Sequence, residues 1–425
     1  MKYSLLMIAL LVVVSCTQVS PENITDAEDY NVFLGSVESK KTSKYFELWN
    51  SKIQTDSMQL MSFGIVAGEY SRYFQETGDI KQLKMAEKAL DKAVEIAAIG
   101  KSGYYRALAR NYISQHRFKE ALELANSSRA MGSGVEESRK LLFDVHMELG
   151  NYDKAQHYLD SIKNMSDFDY LIRLAKWSDH KGDLDTAIRF MEKATAKAES
   201  SKNSALMLWS YTNLADYYGH AGRIQESYEH FLKSLRLDPQ NAFAKKGIAW
   251  IVFSFEKKPN EALRILDSVT KNFLSPDYYL LKAEIAEYMG KRTEMANNLD
   301  SYAIAVENPD YGAMYNVYNV GMYLEQTEQY NRALKIAKME VNNRPTPGSY
   351  DLLAYSYYKL GEKDKALEIV KQHIEGKTFE PGILYRTAEI YKASGEYLKV
   401  KELKNELMGA IYELGPAMES KIINL

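Results

Sequence analysis

Apolar residues recur at helical spacing along most of the chain. Ala366, Leu367 and Val370 form one stripe, Ala333, Leu334 and Ala337 another, and Ala187, Met191 and Ala194 a third. Residues three, four and seven apart share one face of a helix, so each stripe predicts an amphipathic helix. Glycines and small residues punctuate the stripes. Gly150, Gly182, Gly222, Gly290, Gly361 and Gly395 each precede a small or apolar anchor at one fixed offset, and Gly78 plays the same part with a short insertion after it. Glycine ends a helix at low cost because it tolerates the left-handed conformation. Pro239, Pro276, Pro309, Pro345, Pro347 and Pro381 fall where one helix pair should give way to the next. Proline suits the first turn of a helix and breaks an interior.

The anchors are Ala86, Ala121, Ala155, Ala187, Ser227, Ala262, Met295, Ala333, Ala366 and Val400. Their spacing is about 35 residues, the signature of a repeat array. Leu214-Ala215 through Gly222, Ser227, Phe231 and Pro239 shows the unit most fully, and Leu353-Ala354 through Gly361, Ala366, Val370 and Pro381 repeats it. This pattern resembles the tetratricopeptide repeat, a helix–turn–helix unit of about 34 residues. The resemblance covers roughly residues 65–408. It implies an all-α fold, a right-handed superhelix of about ten helix pairs plus capping helices. The pairs anchored at Met295 and Val400 carry large residues where small ones are expected. Residues 44–408 are expected to form the solenoid, led by a capping helix around 45–53. Residues 409–425 should form a C-terminal cap.

The first residues carry a different pattern. Lys2 is followed by an unbroken apolar run from Leu5 to Val14, then Ser15-Cys16. The run is too short for a bilayer core of about 30 Å, which takes about 20 helical residues, and reads as a signal peptide over residues 1–15. Val13-Val14-Ser15-Cys16 resembles the lipobox of bacterial lipoproteins. The resemblance implies cleavage before Cys16, acylation of Cys16, and a membrane anchor through its acyl chains. Thr17, where an inner-membrane retention signal would have Asp, points to the outer membrane, on its periplasmic or surface side. Residues 16–43 are polar and read as a flexible tether.

Composition narrows the function classes. Cys16 is the only cysteine, so an intramolecular disulfide and a cysteine-rich metal site are excluded. Net charge is −3 with no polybasic run, which disfavours nucleic acid. No glycine-rich phosphate loop, metalloprotease helix or nucleophile elbow is present, so neither catalysis nor a cofactor is expected.

Binding in such arrays falls on the concave face, lined by the first helix of each pair. The spacing places Arg106, Arg110, Lys140, Asp144, Lys176, Asp179, His180, Asp216 and His220 there. Glu284, Glu287, Tyr288, Tyr318, Glu325, Asp351, Tyr355 and Tyr358 follow further along. The groove should run from basic to acidic and aromatic. His180 and His220 occupy equivalent positions in adjacent pairs, with Asp179, Asp216 and Tyr218 near them. That constellation suits a polar-ligand pocket or, less well, a metal ion; two surface histidines beside turns are the plainer reading. Three functions follow as expectations: a membrane-anchored scaffold for protein partners, a solute- or glycan-capture lipoprotein serving a transporter, or a metal-handling protein using His180 and His220.

Overall fold

The computed structural model of the chain describes residues 23–35, 44–53 and 58–425. The expected signal peptide and Cys16 lie outside them. The described residues form helices and connecting turns. Two short helices lead, α1 (Ala27–Asn31) and α2 (Lys44–Asn50). Ten antiparallel pairs follow. The first five are α3/α4 (Leu60–Thr77, Ile80–Ile96), α5/α6 (Lys101–Ser114, Phe118–Ala130), α7/α8 (Val135–Glu148, Tyr152–Ser161), α9/α10 (Phe168–His180, Leu184–Ser201) and α11/α12 (Ser204–His220, Ile224–Leu237). The second five are α13/α14 (Ala242–Trp250, Pro259–Thr270), α15/α16 (Asp277–Tyr288, Arg292–Val306), α17/α18 (Asn316–Glu325, Tyr330–Asn343), α19/α20 (Pro347–Lys359, Lys363–His373) and α21/α22 (Pro381–Ala393, Tyr397–Gly409). α23 (Ile411–Leu414) and α24 (Met418–Ile423) end the chain. The expected all-α array of helix pairs is what is found.

Each pair nests on its anchor. Ala86, Ala121, Ala155, Ala187, Ser227, Ala262, Ala333 and Ala366 are fully buried. A larger side chain there would overpack the crossing at a cost of about 1–3 kcal/mol. Met295 is the exception, only partly covered, and Tyr302 is the sole buried residue of its helix α16. From the second pair onward the turn inside each pair has one recurring geometry. A residue at positive φ ends the first helix, and the next amide reaches back, as Arg223 N–H does to Tyr218 O at 2.8 Å and Asp183 N–H to Ser178 O at 2.9 Å. Three pairs have no glycine at that place. His116, Lys257 and Glu328 stand there instead at φ 58°, 59° and 52°. The turn is so strongly demanded by the packing that it forms on residues which resist it by about 1 kcal/mol.

The array closes on itself. Turns of the first five pairs abut linkers in the second half of the array. Leu274 N–H donates to Thr77 O at 2.7 Å. Asn343 Nδ2 donates to His116 O at 3.0 Å, and Arg344 lies 3.5 Å from Glu148. Gly182 takes the ring of Phe379 against its backbone. His220 meets Glu413 at 3.3 Å. Thus the second superhelical turn rests on the first along a continuous seam, and the concave face becomes the wall of a lumen.

Part of the expected tether is folded. Ile24 and Thr25 amides donate to Glu256 at 2.9 and 2.6 Å, Tyr228 donates to Asp26 O at 3.1 Å, and Tyr30 donates to Glu261 at 2.6 Å. Tyr30 is buried among residues of α12 and α14. Residues 24–34 therefore strap the outer helices of two central pairs, where polar composition alone suggested a loose linker. The reason is Tyr30, one aromatic that fills a slot between two helix faces. α2 packs on α3 through Phe46, whose ring meets those of Tyr70 and Tyr73 edge-on at 5.0 and 5.4 Å.

Candidate functional site

The candidate site lies in the lumen where α11, α13, α15 and α17 face α23. A cavity of about 510 Å³ opens there, bounded by Asp216, Phe243, Lys246, Trp250, Glu284 and Tyr318 from the pairs and by Tyr412 and Glu413 from α23. Local structure explains its shape. Gly247 leaves room for the ring of Phe231, which would lie 2.2 Å from any Cβ at that position. The end of α13 widens into a π-helix over Ile251–Phe255. Such widening shifts the helical register and is frequent at functional sites. Here Trp250 Nε1–H and Ser254 Oγ–H both donate to Tyr412 O, at 3.0 and 2.7 Å, which pins α23 across the lumen. Gly415, just after α23, lies against Glu284 and Trp250.

Charge in the cavity is unbalanced. Lys246 pairs with Asp277 at 2.7 Å and sits 4.9 Å over the ring of Tyr278. Asp216 and Glu284 have no hydrogen bond or ion pair among the described residues. Burial pushes the carboxyl of Asp216 up to about 7, with Lys246 opposing. Burial also pushes Glu284 up to about 7, reinforced by Glu287 and Glu325 and opposed by Lys421 and Lys246. Glu413 rises to about 7 through burial and then through Glu380 and Asp179. Desolvation disfavours a charge that has no partner, and like charges add to it. Burial lowers the pKa of His220, whose ring nitrogen lies 3.3 Å from the Glu413 carboxyl.

A second cavity of about 490 Å³ lies further up the same wall, lined by Asp144, Arg173, Lys176, Asp179, Trp209 and Tyr217 among others. Its charges are mostly matched. Arg173 donates to Asp144 at 2.6 Å and Lys176 to Glu148 at 2.8 Å. Asp179 rises to about 6 through burial and the facing Glu380.

The residues expected on the concave wall divide. Asp216, His220, Glu284 and Tyr318 line the first cavity, and Asp144, Lys176 and Asp179 the second. Arg110 is exposed, with Asp144 as the nearby carboxylate that favours its charge. Others are taken up by the framework. Arg106 reaches Ser128 at 3.1 Å and the carbonyls of Ser133 and Gly134, tying α6 to α7. Lys140 is buried with Asp167, Glu137 and Asp169 around it. Tyr218 turns away from the lumen and donates to Glu192 at 2.8 Å, and Tyr355 donates to Glu389 at 2.6 Å. Asp351 is buried against Arg386. These side chains fill the pair-to-pair interfaces, a use that spacing alone does not distinguish from the lumen.

The two histidines make different contacts. His180 stacks on Tyr152 at 4.0 Å, toward the preceding pair, whereas His220 faces Glu413. Among the described residues no group of three or more His, Cys, Asp and Glu is arranged to hold a metal ion. Sequence reasoning missed Phe243, Lys246, Trp250, Asp277, Tyr412 and Glu413. The first four belong to helices that were recognised, but their direction depends on the π-helix and on the pairing of Lys246 with Asp277. The last two reach the site only because the superhelix closes, for which periodicity carries no signal.

Residues 210–241 match the tetratricopeptide repeat family. A tetratricopeptide repeat-containing protein of Methanocaldococcus jannaschii is 22% identical over 416 residues, covering 93% of this chain and 66% of that protein. The BBSome complex member BBS4 of Bos taurus is 23% identical over 325 residues, covering 71% of this chain and 58% of that protein. The chain thus spans less than two thirds of either relative. A solved structure of a Rap protein complexed with competence and sporulation factor has a TM-score of 0.46 at 12% identity, covering 62% of this chain and 78% of that one.

Proposed function

With tetratricopeptide-type helix pairs as its framework, we propose that this protein is a non-catalytic scaffold that binds a protein partner in its lumen and holds it at a bacterial membrane. One observation carries the reading: a cavity of about 510 Å³ whose walls are aromatic and two of whose carboxylates, Asp216 and Glu284, have no hydrogen-bond or ion-pair partner among the described residues. Ligand sites are typically concave and largely apolar, with a few convergent polar groups. An array built wholly from framework contacts has no use for two uncompensated carboxylates in one wall, since each such group costs stability. The acidic lining disfavours a phosphate backbone. The relative named as a member of a complex agrees with an assembly role.

The anchor is part of the same proposal. Acylation of Cys16 would hold the array at the membrane, in the outer membrane on the strength of Thr17, while α1 ties the start of the fold to α12 and α14. No described helix is long and apolar enough to cross a membrane. Glycan capture is the rival use of an aromatic cavity, and metal handling through His180 and His220 is the third reading.

A photoreactive phenylalanine analogue at Phe243, in the cavity wall, should capture a discrete protein neighbour in cells. The same analogue at Leu398, exposed near the start of α22, should not. Capture at Leu398 and none at Phe243 would show that partners use a surface outside the cavity and would overturn the lumen reading.

A further inference from the structure

We propose that the cavity between α11, α13 and α15 is a subsite for the basic side chain, lysine or arginine, of an extended peptide segment. This assignment rests on the protein-binding reading above and states what the site selects. The cavity wall supplies four carboxylates, Asp216, Asp277, Glu284 and Glu413, against one lysine, Lys246, which is already engaged with Asp277. Asp216 and Glu284 are the pair with no engagement among the described residues. A confined carboxylate without a counter-charge is unfavourable, and an incoming cation removes that cost. The remaining wall fits such a ligand. Phe243, Trp250, Tyr318 and Tyr412 offer aromatic faces to an alkyl stem and to a cationic head.

An anion finds no comparable welcome. Lys246 is paired, and the donors of Trp250 and Ser254 are both directed at Tyr412 O. Cavity size also favours a side chain with flanking backbone, because about 510 Å³ falls in the range of sites that enclose most of a small ligand.

Protonation follows from the same geometry. Around Glu284 stand Glu287 and Glu325, opposed by Lys421 and Lys246; around Asp216 the opposing charge is Lys246. Both carboxyls titrate near 7 in the empty cavity because burial disfavours their charge. A bound cation favours the ionised forms, so binding releases protons near neutrality and tightens as pH rises from 6 to 8.

The test uses the full folded chain and acetylated, amidated hexa-alanine peptides with one central Lys, Arg, Gln or Glu. Titration calorimetry in two buffers of different ionisation enthalpy reads affinity and proton release together. Lys and Arg peptides should bind about tenfold or more tighter than the Gln peptide. Binding should release protons at pH 7. The double variant Asp216→Asn with Glu284→Gln should abolish the preference, with its helical spectrum and melting curve confirming that it folds. Glu402→Gln, on exposed α22, should change neither affinity nor proton release.

Equal binding of the Lys and Gln peptides would overturn the subsite and leave the scaffold reading standing. Binding of free butylamine as tight as the Lys peptide would overturn the peptide assignment in favour of a small amine. If no peptide binds while an oligosaccharide panel stabilises the protein, both this inference and the scaffold reading fall. Absence of any binding at millimolar peptide overturns the inference as well.

Discussion

Gly150→Ala and Gly361→Ala are the same chemical change at equivalent turns of two pairs, and the closed superhelix makes them unequal. Both residues end a first helix at positive φ, 69° and 84°. Alanine in that conformation costs about 1 kcal/mol at either site. The entropy lost from the unfolded chain is also common to both and cancels in the comparison. Surroundings differ. A methyl group at 361 meets nothing within 4 Å, whereas at 150 it lies 2.8 Å from the carbonyl oxygen of Pro345 and 3.4 Å from its carbon. That neighbour is backbone, so no side chain can rotate out of the way. Overpacking of this kind costs about 1–3 kcal/mol more. Gly361→Ala should therefore destabilise by about 1 kcal/mol and Gly150→Ala by about 2–4 kcal/mol. Urea unfolding followed by helical circular dichroism measures both. Equal losses at the two positions would mean that the linker carrying Pro345 does not rest on Gly150, and the seam would be refuted.

Three further outcomes are expected. Cys16→Ala should shift the protein from the membrane to the soluble fraction of its native cells; retention in the membrane would remove the acyl anchor. Asp216→Asn with Glu284→Gln should raise the melting temperature at pH 8 more than at pH 5. The carboxyls have folded-state pKa values near 7, raised above their unfolded values, so the native chain binds more protons and loses stability as pH rises through 7; an equal shift at both pH values would show that the carboxyls are well solvated. Gly247→Ala should displace the ring of Phe231, destabilise the fold by about 2–3 kcal/mol and close part of the cavity, as read by urea unfolding together with loss of Lys-peptide binding.

How much was legible in the sequence depends on the range of the interaction. Helices, turns and pair order are written in local periodicity, because Ala155, Ala187 or Ala366 can nest only at a helix crossing and Gly182 or Gly361 can end a helix cheaply. Where a turn lacks glycine, at His116, Lys257 and Glu328, the repeat spacing still locates it, since neighbouring pairs impose the geometry. Wall residues such as Asp216 and Glu284 were also accessible from spacing. Their selection from a longer series was not: Tyr355 stands at the same register as Asp216 yet rotates into a pair interface, where Glu389 receives its hydroxyl. Superhelical closure was out of reach altogether. It depends on small rotations accumulated over five pairs, and no single residue pattern records their sum. Gly78, Gly150 and Gly182 carry a hidden second role for this reason, as they are both turn residues and points of close approach. The strap at Tyr30 escaped notice because one buried aromatic in a polar segment has no period.

Amide hydrogen exchange at Leu274 tests the closed superhelix most directly. This residue lies in a linker outside any helix, and its N–H donates across the seam to Thr77 O at 2.7 Å. Closure predicts protection of about a hundredfold or more over a free amide, lost when Gly78→Val drives the two turns apart. Exchange at the free-amide rate in the unaltered protein would mean an open coil, and the lumen with its cavity would go with it.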